Sequence, residues 1–537
     1  MKHPVIIFGL DGASFSVLDD LVKRGVMPFF GEAFARGARA PLMSTVPPLT
    51  PPAWITLVTG RTPGHHGIFN FVQKESPDSR FVRMISSREI ACESLWSIVN
   101  RHGRRAGCLN FVAHNPAPRI DGYVIPGWLG WRWVKKQSHP ADLIERLKND
   151  VPGFDVKELA MNFSEEEKAI AGAFNEEYEP WIDLHIRREL QWFNILRRQL
   201  RHDPTELTAV VFDGVDKLQH LCWRFLDPAC EPEQPDEAFL RVQRKCHEYF
   251  RQLDGFLRDT VELAGPDANI LICSDHGFTG STEVLYVNTW LEQQGYLTWN
   301  EDVPYESDKS EELQAPKPFQ RREYDLSRTR AYSAFASTNG ICINVRGRGG
   351  DGGIPPEGYE AFRRELIDAL LTRCIDPESG APIIRRVWTR EEAFPGPKNG
   401  VAADLTLALR DHGNVSVLRS RAFLKPRADV LGCHHPAGVF MALGPGVRAG
   451  ETLEPIHLVD IAPTVLYAMR LPIPADLEGG VATGAFTNDF LQANAVLRGA
   501  ETHKVATAES AAAGVDAADE EDDPQVLMRL KALGYIE

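Results

Sequence analysis

Seven residues in five separated stretches of this chain carry side chains that could do chemistry together: Asp11, Thr50, Asp216, His220, Asp275, His276 and His434. Three carboxylates and three imidazoles suit a pair of zinc-type cations, which take oxygen and nitrogen donors in about these numbers. Thr50 is a poor ligand as an alcohol. Deprotonated beside a cation it becomes both ligand and nucleophile, and the chemistry of that combination is phosphate-ester cleavage. Asp216 and His220 stand four residues apart, so one helical turn presents both on the same face. Asp213 cannot share that spacing with His220. His435, next to His434, reads as a partner that supports it or as the ligand in its place.

These residues need elements that bring them together. The run Val5, Ile6, Ile7, Phe8 predicts a buried strand ending just before Asp11. A helix with Leu18, Leu21 and Val22 on one face is expected over 14–25. Residues 207–212 and 269–273 are further apolar runs, ending before Asp216 and Asp275. A helical pattern over 235–264 separates them. Strand and helix in alternation predict an α/β fold with a mostly parallel sheet, whose ligands gather beyond the carboxyl ends of the strands. Prolines 47, 48, 51 and 52 surround Thr50, with a helix following to Gly60. Thr50 is therefore expected near a helix N-terminus, where backbone N–H groups and the dipole favour an anion. It would also serve there as a simple cap.

The organisation expected is a core part at 1–125, a helical insertion at 126–205, a second core part at 206–485 and a tail at 486–537. The insertion carries Trp128, Trp131, Trp133, Trp181 and Trp192, with one long helical pattern from Ser164 to Arg201 opened by a Ser164–Glu167 capping box. It reads as a cap over the site or as an ordinary helical subdomain packed through its aromatics. Residues 300–330 are polar and read as a surface loop. The glycines at 347–353 lack the Lys-Ser/Thr of a phosphate-binding loop and read as a turn. An acidic linker at 505–523 and a short helix at 526–533 close the chain.

The chain has 537 residues, 43% hydrophobic and 25% charged, as a globular protein should be. Its net charge of −15 argues against a nucleic-acid polymer or anionic membrane as partner. A small phosphate ester remains compatible, because bound cations dominate the local field. Nine scattered cysteines with no C-x-x-C pair read as reduced thiols, and the N-terminal apolar run is short and ends on an acid. No stretch reaches membrane-spanning length. A cytoplasmic enzyme is the expectation, with the oligomeric state left open.

Taken in order, the segments Gly9-Leu10-Asp11-Gly12, Thr50-Pro51-Pro52-Ala53-Trp54, Pro63-Gly64-His65-His66-Gly67, Asp216 to His220, Ser274-Asp275-His276-Gly277, Gly432-Cys433-His434 and Asp460-Ile461-Ala462-Pro463-Thr464 resemble the alkaline phosphatase superfamily. Within it they resemble the type I phosphodiesterase/nucleotide pyrophosphatase family. The resemblance spans about residues 4–480 and implies an alkaline-phosphatase-like core holding two zinc ions. Asp11, Thr50, Asp275 and His276 would hold one, and Asp216, His220 and His434 the other. Thr50 would attack phosphorus and form a phospho-threonine intermediate. The family's phosphate-binding asparagine would correspond to Asn70, which stands one position early with Phe71 in its place. Ala53-Trp54 replaces the usual Asn-His pair and changes the wall of the site. No C/S-x-P-x-R segment supports a sulfatase, and no Arg close behind the nucleophile supports the alkaline phosphatase branch. His65 and His66 read as loop packing, and Asp404 and Asp460 as caps. Phosphodiester or phosphoanhydride hydrolysis is the leading expectation. Phosphomonoester hydrolysis or phosphoryl transfer on the same site is the alternative, and a non-catalytic binding protein is the reading from another class.

Overall fold

The computed structural model describes residues 3–76, 82–159, 163–173, 176–306, 324–348 and 352–503. Strands β1 (Val5–Leu10), β2 (Ala38–Met43), β3 (Ala106–Leu109), β4 (Gly122–Ile125), β5 (Leu207–Phe212), β6 (Asn269–Cys273) and β7 (Ala437–Leu443) form the body of the central sheet in the order β2-β7-β6-β1-β5-β3-β4, with the two-residue strands Glu451–Thr452 and Ile456–His457 along the outer side of β2. Strand β1 runs parallel to β5 and β6, and β3 parallel to β4 and β5; β7 alone runs antiparallel to both its neighbours. Every residue of β1, β5 and β6 is buried, because helices cover both faces, and this is why these strands read as unbroken apolar runs. The register sets Leu10 beside Phe212 and Gly9 beside Cys273. The chain therefore leaves all three strands at one edge, and the acids that follow emerge together.

The expected helical run from Ser164 to Arg201 is two helices, Phe163–Ala173 and Glu179–His202. The second lies against the long helix Glu237–Ala264, with the Phe193 and Phe256 rings stacked at 4.2 Å. Trp128, Trp181 and Trp192 belong to the main hydrophobic core, and the Trp181 indole N–H donates to the Lys217 carbonyl at 3.1 Å. Trp131 is exposed.

The described residues of 287–423 form a lobe with a separate hydrophobic core that includes Trp290, Ile341, Leu366 and Leu405. Its antiparallel sheet orders Ala331–Tyr332, Gly340–Ile343, Leu405–Leu409 and Ile384–Thr389, and helix Tyr359–Arg373 accompanies it. The lobe grows from a hairpin of Gly277–Tyr286 and Leu424–His435. This division was not drawn from the sequence. Asp404 is more than a cap there: it accepts from the Ile343 N–H and the Tyr359 hydroxyl, both at 2.7 Å, and pairs with Arg390 and Arg348. Asp460 does cap, accepting from the N–H groups of His457 and Gly480. Most of the 300–330 loop, part of the 347–353 turn, the Ser164 side chain and the linker and helix expected beyond 504 lie outside the described residues. Among the described residues no helix is long and apolar enough to cross a membrane.

Candidate metal centre

Asp11 follows β1, Asp275 and His276 follow β6, and helix Gly214–Leu226 begins just after β5 and presents Asp216 and His220. His434 arrives from the opposite direction on Leu424–His435, where it pairs with Phe278. Gly12 makes this convergence possible. Its φ is +69°, and a Cβ there would stand 2.7 Å from the Phe278 ring. The Gly12 N–H donates to Asp275 Oδ1 at 3.1 Å, and the Gly12 carbonyl accepts from Gln219 Nε2 at 2.8 Å.

All seven residues meet in one cluster, buried except for the partly exposed His220. Asp216 Oδ1 lies 3.4 Å from His220 Nε2 and 3.3 Å from His434 Nε2, and the two imidazole nitrogens are 3.1 Å apart. His276 Nε2 lies 3.3 Å from Asp275 Oδ2, 3.7 Å from Asp11 Oδ1 and 4.0 Å from Asp216 Oδ1. Thr50 Oγ1 is 3.2 Å from the same nitrogen. Two donor groups can thus be drawn with all atoms within 4.8 Å: Asp11, Asp275 and His276, and Asp216, His276 and His434. His276 joins both, while His220 stays within reach of the second.

The electrostatics favour cations. Burial, then the neighbouring acids, pushes the Asp11 carboxyl well above the ordinary range. Burial does the same to Asp275, with Asp216 adding to it. Burial also opposes the charged form of Asp216, yet His220 and His434 together outweigh it and hold that carboxyl well below the ordinary range. Burial drives His276 well down and lowers His434 too, so both tend to the neutral, ligating form. Each has Nδ1 on a carbonyl, His276 on Gly277 at 3.1 Å and His434 on Pro48 at 2.8 Å. A carbonyl only accepts, so Nδ1 carries the proton and the Nε2 lone pair faces the cluster. Among the described residues no N–H or hydroxyl donates to Asp11 Oδ1 or Asp275 Oδ2, although both are buried, and the two carboxyls face each other. Buried carboxylate oxygens without donors, beside neutral imidazoles, are what divalent cations would satisfy.

Thr50 is the first residue of helix Thr50–Thr59, as expected. The expected cradle of backbone N–H groups is not there. Pro51 and Pro52 have no N–H, and the Ala53 N–H donates to the Leu49 carbonyl at 3.0 Å. Of the first four positions only the Thr50 amide remains. Asn70 makes no hydrogen bond with the seven. It is buried beside Ser337 of the lobe and held at Oδ1. His66 packs on helix Thr50–Thr59, 3.0 Å from Thr56 Oγ1, while His65 faces Glu478. The His435 ring lies tilted against His412, with ring centroids 4.6 Å apart. Asp213 pairs with Lys217 and Arg188. Two contributors lay unnoticed within the motifs: Trp54, whose indole N–H donates to Asp11 Oδ2 at 3.3 Å, and Gln219.

A model of the type I phosphodiesterase / nucleotide pyrophosphatase family matches residues 5–422. The chain belongs to that family. Its class is therefore that of a metal-dependent phosphoryl hydrolase, and the two donor groups are its candidate metal sites. No curated protein matches this family member by sequence. Human ectonucleotide pyrophosphatase / phosphodiesterase 5 is similar in structure, with 14% identity, a TM-score of 0.50, and 90% of this chain and 98% of that one covered. Phosphonoacetate hydrolase from Sinorhizobium meliloti 1021, solved with phosphonoformate, gives 15% identity, a TM-score of 0.51, and 87% and 95% coverage. At such identities the likeness shows the fold: a large, mostly parallel sheet flanked by helices.

Proposed function

We propose that this family member hydrolyses phosphodiester or phosphoanhydride bonds of small substrates with Thr50 as the nucleophile, at a centre of two divalent cations, zinc by its donor set. The observation that carries the reading is the position of Thr50 Oγ1, 3.2 Å from His276 Nε2 and so at the edge of a donor cluster with two orphaned carboxylate oxygens. Asp11, Asp275, His276 and Thr50 would hold one cation, and Asp216, His220 and His434 the other. Bound there, the cations would supply positive charge that lowers the Thr50 pKa and offsets the charge gathering on phosphoryl oxygens.

The chain's own residues do the rest. Because the His276 Nδ1 proton is committed to the Gly277 carbonyl, the Nε2 lone pair faces Thr50 Oγ1, so both atoms can turn to the same cation. Attack forms the Thr50 Oγ–phosphorus bond and breaks the bond to the leaving-group oxygen, and the hydroxyl proton passes through solvent to that oxygen. Water then attacks phosphorus, breaks the Oγ–phosphorus bond and restores Thr50. The prolines after Thr50 leave its own amide as the one backbone donor of that helix start, so side chains must supply further hydrogen bonds to phosphoryl oxygens, and Asn70 is the nearest candidate in the sequence. The nine cysteines are unpaired, which fits a reducing, cytoplasmic setting.

Paired assays with bis(p-nitrophenyl) phosphate and p-nitrophenyl phosphate should show preference for the diester. Thr50→Ala should lower kcat by about a thousandfold or more, while elemental analysis still finds the cations. Undiminished turnover in that variant, or purified protein that takes up no divalent cation, would overturn the reading.

A further inference from the structure

Asn70 is 2% exposed, and among the described residues its Nδ2 has no hydrogen-bond partner. Its Oδ1 is doubly engaged. It accepts from the Phe71 N–H at 2.8 Å and from the Ser337 hydroxyl at 3.2 Å. The first of these bonds settles which way the amide faces, since a backbone N–H can only donate and so must meet the oxygen. The NH2 group is then turned away from both partners. A buried amide with two committed acceptor positions and two unused donors is costly unless a ligand takes the donors.

Ser337 stands 267 residues further along the chain and belongs to the lobe. It lies in the tight turn Ala336–Thr338, closed by Asn339 at φ +47°. That turn is firmly held. Asn339 Nδ2 donates to the Gly413 carbonyl at 3.1 Å, its Oδ1 accepts from the Val415 N–H at 2.9 Å, and its carbonyl accepts from the Leu407 N–H at 2.8 Å. Val415 in turn pairs with Leu285 on Gly277–Tyr286, the strand that follows His276. The segment bearing Asn70 is pinned to the same lobe, with the Phe69 ring edge-on to Phe394 at 5.1 Å and the Lys398 N–H on the Gly64 carbonyl at 2.7 Å. At its other end His66 holds it to the nucleophile helix. Asn70 thus sits between the helix that starts at Thr50 and a rigid turn of the lobe.

We propose that Ser337 is a positioning residue. Its hydroxyl fixes the Asn70 carboxamide so that the NH2 group is presented to a non-bridging phosphoryl oxygen of a phosphodiester, in place of the backbone donors that Pro51 and Pro52 cannot provide. This rests on the function proposed above. The inserted lobe therefore takes part in substrate recognition without touching substrate or cations itself.

A double-mutant cycle tests it, with kcat/KM for bis(p-nitrophenyl) phosphate, cation content and Tm measured for each variant. Asn70→Ala should lower kcat/KM by about tenfold to a hundredfold, as loss of a transition-state donor does. Ser337→Ala should lower it about threefold to tenfold, the scale of one hydrogen bond, with cation content unchanged. In the Asn70→Ala background Ser337→Ala should have no further effect, and Ser337→Thr, which keeps the hydroxyl, should restore activity. Should the alanine variant lose Tm, Ser337→Cys keeps the volume with a far weaker donor and takes its place. If Ser337→Ala is neutral, or costs as much without Asn70 as with it, the positioning role is wrong while the catalytic reading survives. Inactivity of the unmodified protein on every diester would instead sink the function on which it rests.

Discussion

Two groups of buried acids lie side by side at the carboxyl edge of the sheet, and the protein treats them in opposite ways. Asp213 is matched by cations of the chain itself, and Glu189 beside it accepts from the Gly214 N–H. Lys217 and Arg188 pair with Asp213, Asn110 donates to it at 3.3 Å, and the Lys217 ammonium rests 4.4 Å over the Trp128 ring. Asp11, Asp216 and Asp275 face imidazoles instead, and among the described residues no Lys or Arg pairs with Asp11 or Asp275. Asp213 and Asp216 are three residues apart on one helical turn. The difference shows that buried carboxylates here are not left bare for want of a basic residue close by. The neighbouring cluster is built as a closed ion-pair network, and this one is built to receive charge from outside.

The contrast can be broken most sharply from the compensated side. Lys217→Met removes one of the two cations that balance Asp213 and should destabilise the fold by about 3–5 kcal/mol, read from urea unfolding, whether or not metal is present. Metal should act on the other cluster alone. Adding zinc at about a hundred times its Kd should raise stability by about 2.7 kcal/mol, and a chelator should take that away together with activity. Subtler is Asp11→Asn. In chelated protein it relieves repulsion among three buried acids and should stabilise by about 1 kcal/mol, whereas Lys217→Met never stabilises; in loaded protein it should abolish activity. A chelated Asp11→Asn variant that unfolds more readily than its parent would remove the distinction between the clusters.

The most gradual effect, spread over several pH units, comes from Glu189. Burial, then Asp213, pushes the Glu189 carboxyl up to about 8. The native state therefore keeps this proton to higher pH than the unfolded chain, whose glutamate titrates near about 4.3. Its contribution to stability is full below that value and is lost as pH rises toward about 8, by at most about 1.4 kcal/mol per pH unit. Glu189→Gln should flatten this part of the stability profile. An unchanged slope would mean that Glu189 is ionised in the fold and the network is charged differently.

Much of this was legible in the sequence. The runs that became β1, β5 and β6 are continuous because both faces are covered, and each ends just before a candidate ligand. Conjunction of Asp11, Thr50, Asp216, His220, Asp275, His276 and His434 therefore marked one site, and all seven side chains meet in the fold. The lobe was not legible, since two of its strands are only two and four residues long and its core is gathered from helix and turn residues over more than a hundred positions. Nor could spacing pair Asn70 with Ser337. The absence of N–H donors after Thr50 was written in plain view by Pro51 and Pro52, and the general preference of helix N-termini for anions obscured it.

The lobe leaves and rejoins the body at Tyr286 and Leu424, where Leu285 and Leu424 pair directly across the hairpin. The two crossing points are thus about one strand spacing apart, near 5 Å. A short reverse turn grafted there could stand in for the whole 287–423 stretch while His276 and His434 stayed on a zipped ladder. Metal chemistry and substrate preference would then reside on separable modules, so that lineages could exchange the second as a cassette and keep the first intact.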